Sequence, residues 1–101
     1  MEFGDLTDKA ILKELGNRMA RYRLNKNMTQ ESLAVEAGVS RTAVQRMEKG
    51  TSIQLRSLLR LLRVLKLDGN LNALVPLPAE SPIQLLKLSG SVRKRARGAG
   101  L

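Results

Sequence analysis

The chain has 101 residues, a hydrophobic fraction of 43% and a formal net charge of +9. It contains one Phe, one Tyr and no Trp, Cys or His, and its apolar residues are mainly leucine. This composition predicts one small domain of packed helices. It excludes disulfides and any metal site built on Cys or His. We predict no cofactor, no metal and no enzymatic activity, because no carboxylate pair stands in a catalytic arrangement.

The positive charge is distributed unevenly along the chain. Six basic residues are balanced by six acidic ones through Ser40, but twelve basic residues accompany only three acidic ones from Arg41 onward. This excess predicts a polyanionic partner, which is either nucleic acid or an anionic membrane surface. The sequence has neither a secretory signal nor an apolar run near the ~18 residues of a membrane span, so we expect a cytoplasmic protein.

Residues 1–7 are predicted to form an N-terminal arm, and Thr7 is suited to cap a helix over residues 8–25. Gly16 lies within this helix, where a missing side chain permits close approach of another helix. The apolar face of the helix is predicted from residues that recur at helical spacing. These residues are Ile11, Leu12, Leu15, Met19 and Tyr22.

Residues 29–50 predict two short helices joined by a tight turn. Thr29 caps the first helix, although Ser32 stands where a complete capping box has Glu or Gln. Gly38 suits a left-handed residue that ends this helix, and Ser40 caps the next one. Gly50 closes the second helix, whose inner face is predicted to be Ala43, Val44 and Met47.

A fourth amphipathic helix is predicted after residue 54, with Arg56, Arg60 and Arg63 on its outer face. A short fifth helix follows a turn at residues 68–70, and the prolines at 76 and 78 end the compact region. The inner face of the fourth helix is predicted to be Leu55, Leu58, Leu59, Leu62 and Leu65.

The helix that begins after Ser40 presents polar side chains on one stripe. Arginine can bind guanine with two hydrogen bonds, glutamine can bind adenine in the same way, and a threonine methyl can contact the thymine methyl. The alternative is that this stripe is the solvated face of an ordinary helix. The residues predicted to contact bases are Arg41, Thr42, Gln45 and Arg46.

Residues 15–50 resemble the Xre/Cro-CI family of lambda-repressor-like DNA-binding domains. The resemblance rests on the following positions: Gln30, Ala34, Gly38, Val39, Ser40, Val44, Glu48, Lys49 and Gly50. It implies an all-α domain of five helices over residues 8–76, followed by a tail over residues 77–101. It also implies a homodimeric repressor of operator DNA, bound to the nucleoid, with its second helix-turn-helix helix in the major groove.

The same resemblance implies roles for particular residues. Arg23 and Glu48 match positions that form an internal ion pair, and Gln30 matches a position that contacts phosphate and supports the recognition helix. The fifth helix matches a dimerisation segment, which predicts Leu71, Leu74 and Val75 as the dimer contact; alternatively, they complete the core. The predicted contacts to the DNA backbone are Gln30, Ser40, Lys49, Thr51, Ser52 and Arg56.

The last twenty residues combine an apolar segment with a basic run, and three interpretations are open. The run forms a further phosphate-binding arm, it is a solvated tail, or the apolar segment binds a protein partner. The last interpretation resembles HipB-like antitoxins, which repress their own operon and bind a HipA-like serine/threonine kinase toxin. The alternatives are a stand-alone regulator and a protein-binding adaptor. The tail residues involved are Ile83, Leu86, Arg93, Lys94, Arg95 and Arg97.

Overall fold

A computed structural model describes residues 2–79. This part of the chain contains five α-helices and no β-strand, which confirms the all-α class. One 3₁₀ turn (Phe3–Asp5) precedes the first helix, and another (Asp68–Asn70) precedes the last. The helices are α1 (Asp8–Asn25), α2 (Gln30–Ala37), α3 (Arg41–Glu48), α4 (Leu55–Val64) and α5 (Leu71–Leu74).

Hydroxyl side chains cap the first three helices, as predicted. Thr7 accepts a hydrogen bond from the backbone N–H of Ala10, and Ser40 accepts one from Ala43. The capping box of α2 is complete, which corrects the prediction made from the missing Glu. The Ser32 hydroxyl accepts from the Thr29 N–H at 3.0 Å, while the Thr29 hydroxyl accepts from the Ser32 N–H at the same distance.

Helices α1 to α4 are each followed by a residue with a left-handed backbone. Gly38 (φ +69°), for which the sequence predicted it, and Gly50 (φ +80°) adopt this conformation without steric cost because they lack a Cβ atom. Asn27 and Lys66 adopt it after α1 and α4. The turn after Gly38 is short enough that Ser40 caps α3 directly, and this fixes the angle between the two helices of the motif.

The core lies where α2 packs against α3 and α4, and α1 packs against α3. Leu33, Val44 and Leu61 are fully buried, and each comes from a different helix. The burial of each of these side chains contributes about 1.5–3 kcal/mol to stability. This is a large share for a small domain, which has little apolar area to bury. The complete set of buried core residues is Met19, Leu33, Ala34, Ala37, Val44, Met47, Leu61 and Leu65.

The predicted apolar face of α1 is partly wrong. Leu12, Leu15 and Tyr22 are 39–45% exposed, whereas Gly16 and Met19 are buried. The helix is turned so that its smallest residue faces inward, because Gly16 permits direct backbone contact with α3. Helical spacing alone predicted that the larger apolar residues form the inner face of α1.

The predicted inner face of α4 is also partly wrong. Leu55 is 67% exposed, and Leu61, which was left out of the predicted face, is completely buried. The buried side is centred on Leu58, Leu61 and Leu65. Five of the ten residues of α4 are leucine, so the helix has more than one possible apolar stripe, and packing against α2 selects this one.

The described part of the predicted arm contains the first 3₁₀ turn. The Arg18 guanidinium carbon lies 4.9 Å from the centre of the Phe3 ring, and the same side chain forms an ion pair with Glu14. The contact between Phe3 and Arg18 places the arm beside the middle of α1.

By the distribution of its contacts the chain divides after Leu71. In the described residues beyond this point, Leu74 is 68% exposed, Val75 is 78% exposed and Leu77 is 95% exposed. The predicted tail contacts lie outside the described residues; they are Ile83, Leu86, Arg93, Lys94, Arg95 and Arg97.

Candidate nucleic-acid interface

Two glycines bring α1 and the end of α3 into backbone contact. A Cβ atom added to Gly16 would lie 2.3 Å from the Met47 carbonyl oxygen. A Cβ atom added to Gly50 would lie 2.7 Å from the Cα atom of Lys13. No side chain fits at either place, so the predicted close approach at Gly16 is confirmed. The contact fixes how far α3 stands out from the body of the domain.

A polar network connects the same end of α3 to α1 and α2. Arg23 donates two hydrogen bonds to the Glu48 carboxylate, at 2.7 and 3.0 Å, and a third to the Met28 carbonyl oxygen. The Gln30 amide also donates to Glu48, at 3.0 Å. The ion pair implied by the family resemblance is therefore present, and Glu48 is a structural residue shared by three elements.

The Arg23–Glu48 pair is largely withdrawn from water, since the two side chains are 11% and 8% exposed. The hydrogen bonds that Arg23 donates to Glu48 raise the pKa of Arg23 above its usual value, and burial opposes this shift. A two-bond contact of this kind constrains orientation as well as distance, so the network fixes the rotation of α3 about its axis.

With one side of α3 held in this way, its other side faces solvent. Val44 and Met47 are buried, and Ala43 is half-buried beside them, as predicted. Arg41, Thr42 and Lys49 are exposed on the opposite side, together with Arg46, while Gln45 is half-buried. The four predicted base-contacting residues thus lie on the accessible side of one short helix.

Their side chains are not equally free. The Arg46 Nε atom donates to the Ser52 carbonyl oxygen at 3.4 Å, so this side chain lies along the loop that follows α3. Arg41, at the first position of α3, has no hydrogen-bond or ion-pair partner among the described residues. Arg41 is therefore the arginine of α3 that is better placed to bind a base.

A shallow recess separates the start of α2 from the start of α3. Gln30 and Arg41 both line it, together with Thr29 and Met28. Gln30 uses one amide N–H on Glu48 and has a second one available, since an amide carries two. The recess brings together a predicted backbone contact and a predicted base contact.

The remaining predicted backbone contacts surround α3. Ser40 is exposed, but its hydroxyl oxygen already accepts a hydrogen bond as the cap of α3. Lys49, Thr51, Ser52 and Arg56 are exposed beyond the other end of the helix. Two groups of predicted backbone contacts therefore lie at the two ends of the predicted base contacts.

One contact beside this surface was not predicted from the sequence. Arg60 of α4 donates from Nη1 to the Gly38 carbonyl oxygen at 3.1 Å. Residues 38 and 60 are far apart in the chain, and no local pattern predicts that an outer arginine of α4 reaches the turn between α2 and α3. The only usable signal is that the carbonyl groups at the end of α2 require donors.

Comparison with known proteins identifies the family. A helix-turn-helix family model matches residues 19–70, which is more than half of the chain. The protein belongs to the helix-turn-helix family, a family of DNA-binding transcription regulators. No curated protein matches the chain. Between residues 2 and 79, none of the helices combines the length and apolar character needed to cross a membrane.

Proposed function

We propose that the protein is a homodimeric, sequence-specific repressor that occupies operator DNA and blocks access to a promoter. The observation that carries the proposal is the construction of α3. Its inner side is buried at Val44 and Met47 and is held at Glu48, and its outer side presents four polar residues. A helix held at such a fixed position and angle can form base contacts that require accurate geometry.

Within this proposal, Arg41 and Thr42 enter the major groove first, and Gln45 and Arg46 lie further along it. The planar Arg41 guanidinium suits guanine, whose O6 and N7 accept two parallel hydrogen bonds, and Gln45 suits adenine. Arg46 reaches a base if it exchanges its contact with the Ser52 carbonyl for one with DNA. These contacts supply sequence preference.

The proposed backbone contacts fix the position of α3 on the duplex. Gln30 and Ser40 bind phosphates at one end of the recognition helix, and Lys49 and Arg56 bind them at the other, with Thr51 and Ser52 between. Phosphate contacts of this kind carry little sequence information but set register and orientation. They also make affinity dependent on salt, by about 0.9 log units per log unit of salt for each neutralised phosphate.

The proposed homodimer uses α5. Leu74 and Val75 are apolar and mostly exposed, which supports a contact with a second copy, and Leu71 is half-buried at the start of the same turn. Two recognition helices spaced about one DNA turn apart would read two half-sites. Analytical ultracentrifugation of the double variant Leu74→Ser, Val75→Ser tests this contact, because the proposal expects a monomer.

The test of sequence reading compares two charge-removing substitutions on the same side of α3. Arg41→Ala should reduce the preference for the selected operator over random DNA by about 1–3 kcal/mol. Lys49→Ala should weaken binding to both DNAs by the same factor. Selection of an operator from a random library, followed by titration of both variants, measures the two effects. Sequence preference that survives Arg41→Ala intact contradicts the assignment of α3 as the reading helix.

A narrower form of the proposal makes the protein the autoregulating antitoxin of a HipA-like kinase toxin. The apolar and basic segments of residues 81–101 support it. Removal of residues 81–101 should then abolish capture of the kinase encoded beside the gene and leave operator binding unchanged. A truncated chain that still captures the kinase, or an operon without a kinase gene, favours a stand-alone regulator instead.

A further inference from the structure

Three arginines form a continuous basic stripe on α4. Arg56, Arg60 and Arg63 follow each other at intervals of four and three residues, which places them on one side of a helix. All three are exposed, and they lie opposite the buried side formed by Leu58, Leu61 and Leu65. We call these three residues the α4 arginine stripe.

No carboxylate balances this stripe in the described structure. The sequence has no Asp or Glu between Glu48 and Asp68. Between residues 2 and 79, the only basic residues that form ion pairs are Arg18 and Arg23. Three guanidinium groups within about 11 Å of helix length, at 1.5 Å per residue, repel one another. Such an arrangement lowers stability slightly unless a polyanion is bound.

The stripe is joined to the helix-turn-helix through Arg60. This side chain donates one hydrogen bond to the Gly38 carbonyl oxygen, two residues before the cap of α3. A guanidinium group has five N–H donors, so most of them stay available for another acceptor. Arg56 begins the stripe in the first turn of α4, just beyond the loop that follows α3. The stripe therefore contacts the turn before the recognition helix at Arg60, and its first residue follows the loop after that helix in the chain.

We propose that Arg60 and Arg63 extend the DNA interface along α4 by binding phosphates beside the operator half-site. The inference rests on the proposed function and adds two backbone contacts to it. Along the duplex axis one strand carries a phosphate about every 3.4 Å, so a stripe that lies along this axis spans about three of them. The paired donors of arginine suit phosphate oxygens, which bind them bidentately.

DNA fits the stripe better than a lipid surface does. A helix that lies on a membrane inserts its apolar side into the lipid. The apolar side of α4 is committed to the core at Leu58, Leu61 and Leu65, so only its basic side is available. The contact with the turn at Gly38 also places Arg60 next to the surface that the proposed function assigns to DNA.

The test measures the salt dependence of binding to a random-sequence duplex by fluorescence anisotropy. Arg63→Gln should reduce the slope of log affinity against log salt by about 0.9, and Arg60→Gln with Arg63→Gln by about 1.8. The preference for the selected operator over random DNA should not change. Lys9→Gln with Arg21→Gln is the matched control, since it removes two exposed charges from α1 and should leave the slope as it is.

The Arg63 side chain makes no hydrogen bond within the described structure, so its variant isolates the effect of charge. Thermal unfolding of Arg60→Gln reports separately on the contact with Gly38. The inference is overturned if the slope for Arg63→Gln equals that of the control. It is also overturned if Arg63→Gln loses binding to phosphatidylserine vesicles while its slope stays unchanged. A wild-type chain that binds no DNA at all contradicts the proposed function itself, whereas an unchanged slope with normal operator preference contradicts only the role of the stripe.

Discussion

Helices α3 and α4 share a pattern but differ in how they are held. Each buries an apolar side and exposes arginines on the other. Helix α3 has a side-chain cap at Ser40, backbone contact with α1 through Gly16 and a hydrogen-bonded carboxylate at Glu48. Helix α4 has no side-chain cap at Gln54 and is held mainly by leucines.

This difference corresponds to the accuracy that each proposed task requires. Hydrogen bonds to base edges weaken steeply when donor and acceptor move by a few tenths of an ångström or lose alignment. Attraction between a guanidinium group and a phosphate decreases slowly with distance and tolerates such movement. Packed leucines determine the position of a helix. The polar network and the glycine contacts also fix the rotation of α3 about its own axis.

The largest expected effect comes from Glu48→Ala. It leaves the withdrawn Arg23 guanidinium without its carboxylate, which should cost about 3 kcal/mol of unfolding free energy. It also releases Gln30 and the end of α3, so operator affinity should decrease further than stability alone explains. Urea unfolding and operator titration measure the two quantities. A loss below about 1 kcal/mol would mean that the pair behaves as an ordinary surface ion pair.

The double variant Arg23→Met, Glu48→Leu is the control for this substitution. Removing both charges avoids an unpaired buried group, so most of the lost stability should return. Operator affinity should stay low, because Gln30 still lacks its acceptor and α3 lacks its polar attachment. Full recovery of the unfolding free energy and of operator affinity would contradict the idea that the polar network, in addition to apolar packing, orients α3.

The next effect is that of Gly16→Ala. The added methyl group would overlap the Met47 carbonyl oxygen, at a cost of about 3 kcal/mol for overpacking, offset by about 1 kcal/mol of helix propensity. We expect a net loss of about 2 kcal/mol and weaker operator binding. Gly69→Ala serves for comparison, since no heavy atom lies within 4 Å of its added Cβ atom; its stability should change by less than about 0.5 kcal/mol.

The smallest effect tests the helix starts. Ser40→Ala removes the cap of α3 and should lower the unfolding free energy by about 1 kcal/mol. Gln54→Ser adds a cap at a position where α4 has none and should raise it by about 0.5–1 kcal/mol. Thermal unfolding of both variants measures these changes. If both substitutions changed the unfolding free energy by the same amount in the same direction, α3 and α4 would not differ in how their starts are capped.

Much of the fold could be predicted because its boundaries are local. The limits of α1 were predicted at residues 8–25 and are confirmed, since Thr7 and the residues after Asn25 act within one turn of the helix. The left-handed Gly38 and the caps at Thr29 and Ser40 follow from the same short-range chemistry. The completed capping box shows the limit of a motif rule, since a serine hydroxyl replaced the expected carboxylate.

The buried faces could be predicted only in part. Leu55 and Leu61 each stand three and four positions from other leucines. Leu55 is nevertheless mostly exposed, whereas Leu61 is fully buried. On α1, the buried Gly16 has no side chain by which spacing could rank it. The choice depends on which helix packs against which side, and periodicity carries no information about that.

The sequence by itself determined the helix-turn-helix at residues 29–50, the all-α class and the basic character of the second half. These depend on caps, glycines, helical periodicity and charge, which act over a few residues or add up over the chain. Only the tertiary structure decided that Glu48 joins Arg23 to Gln30, that Gly16 faces Met47, and that Arg60 reaches Gly38. Those contacts join residues separated by 18 to 31 positions, and they form only when the core orients the helices.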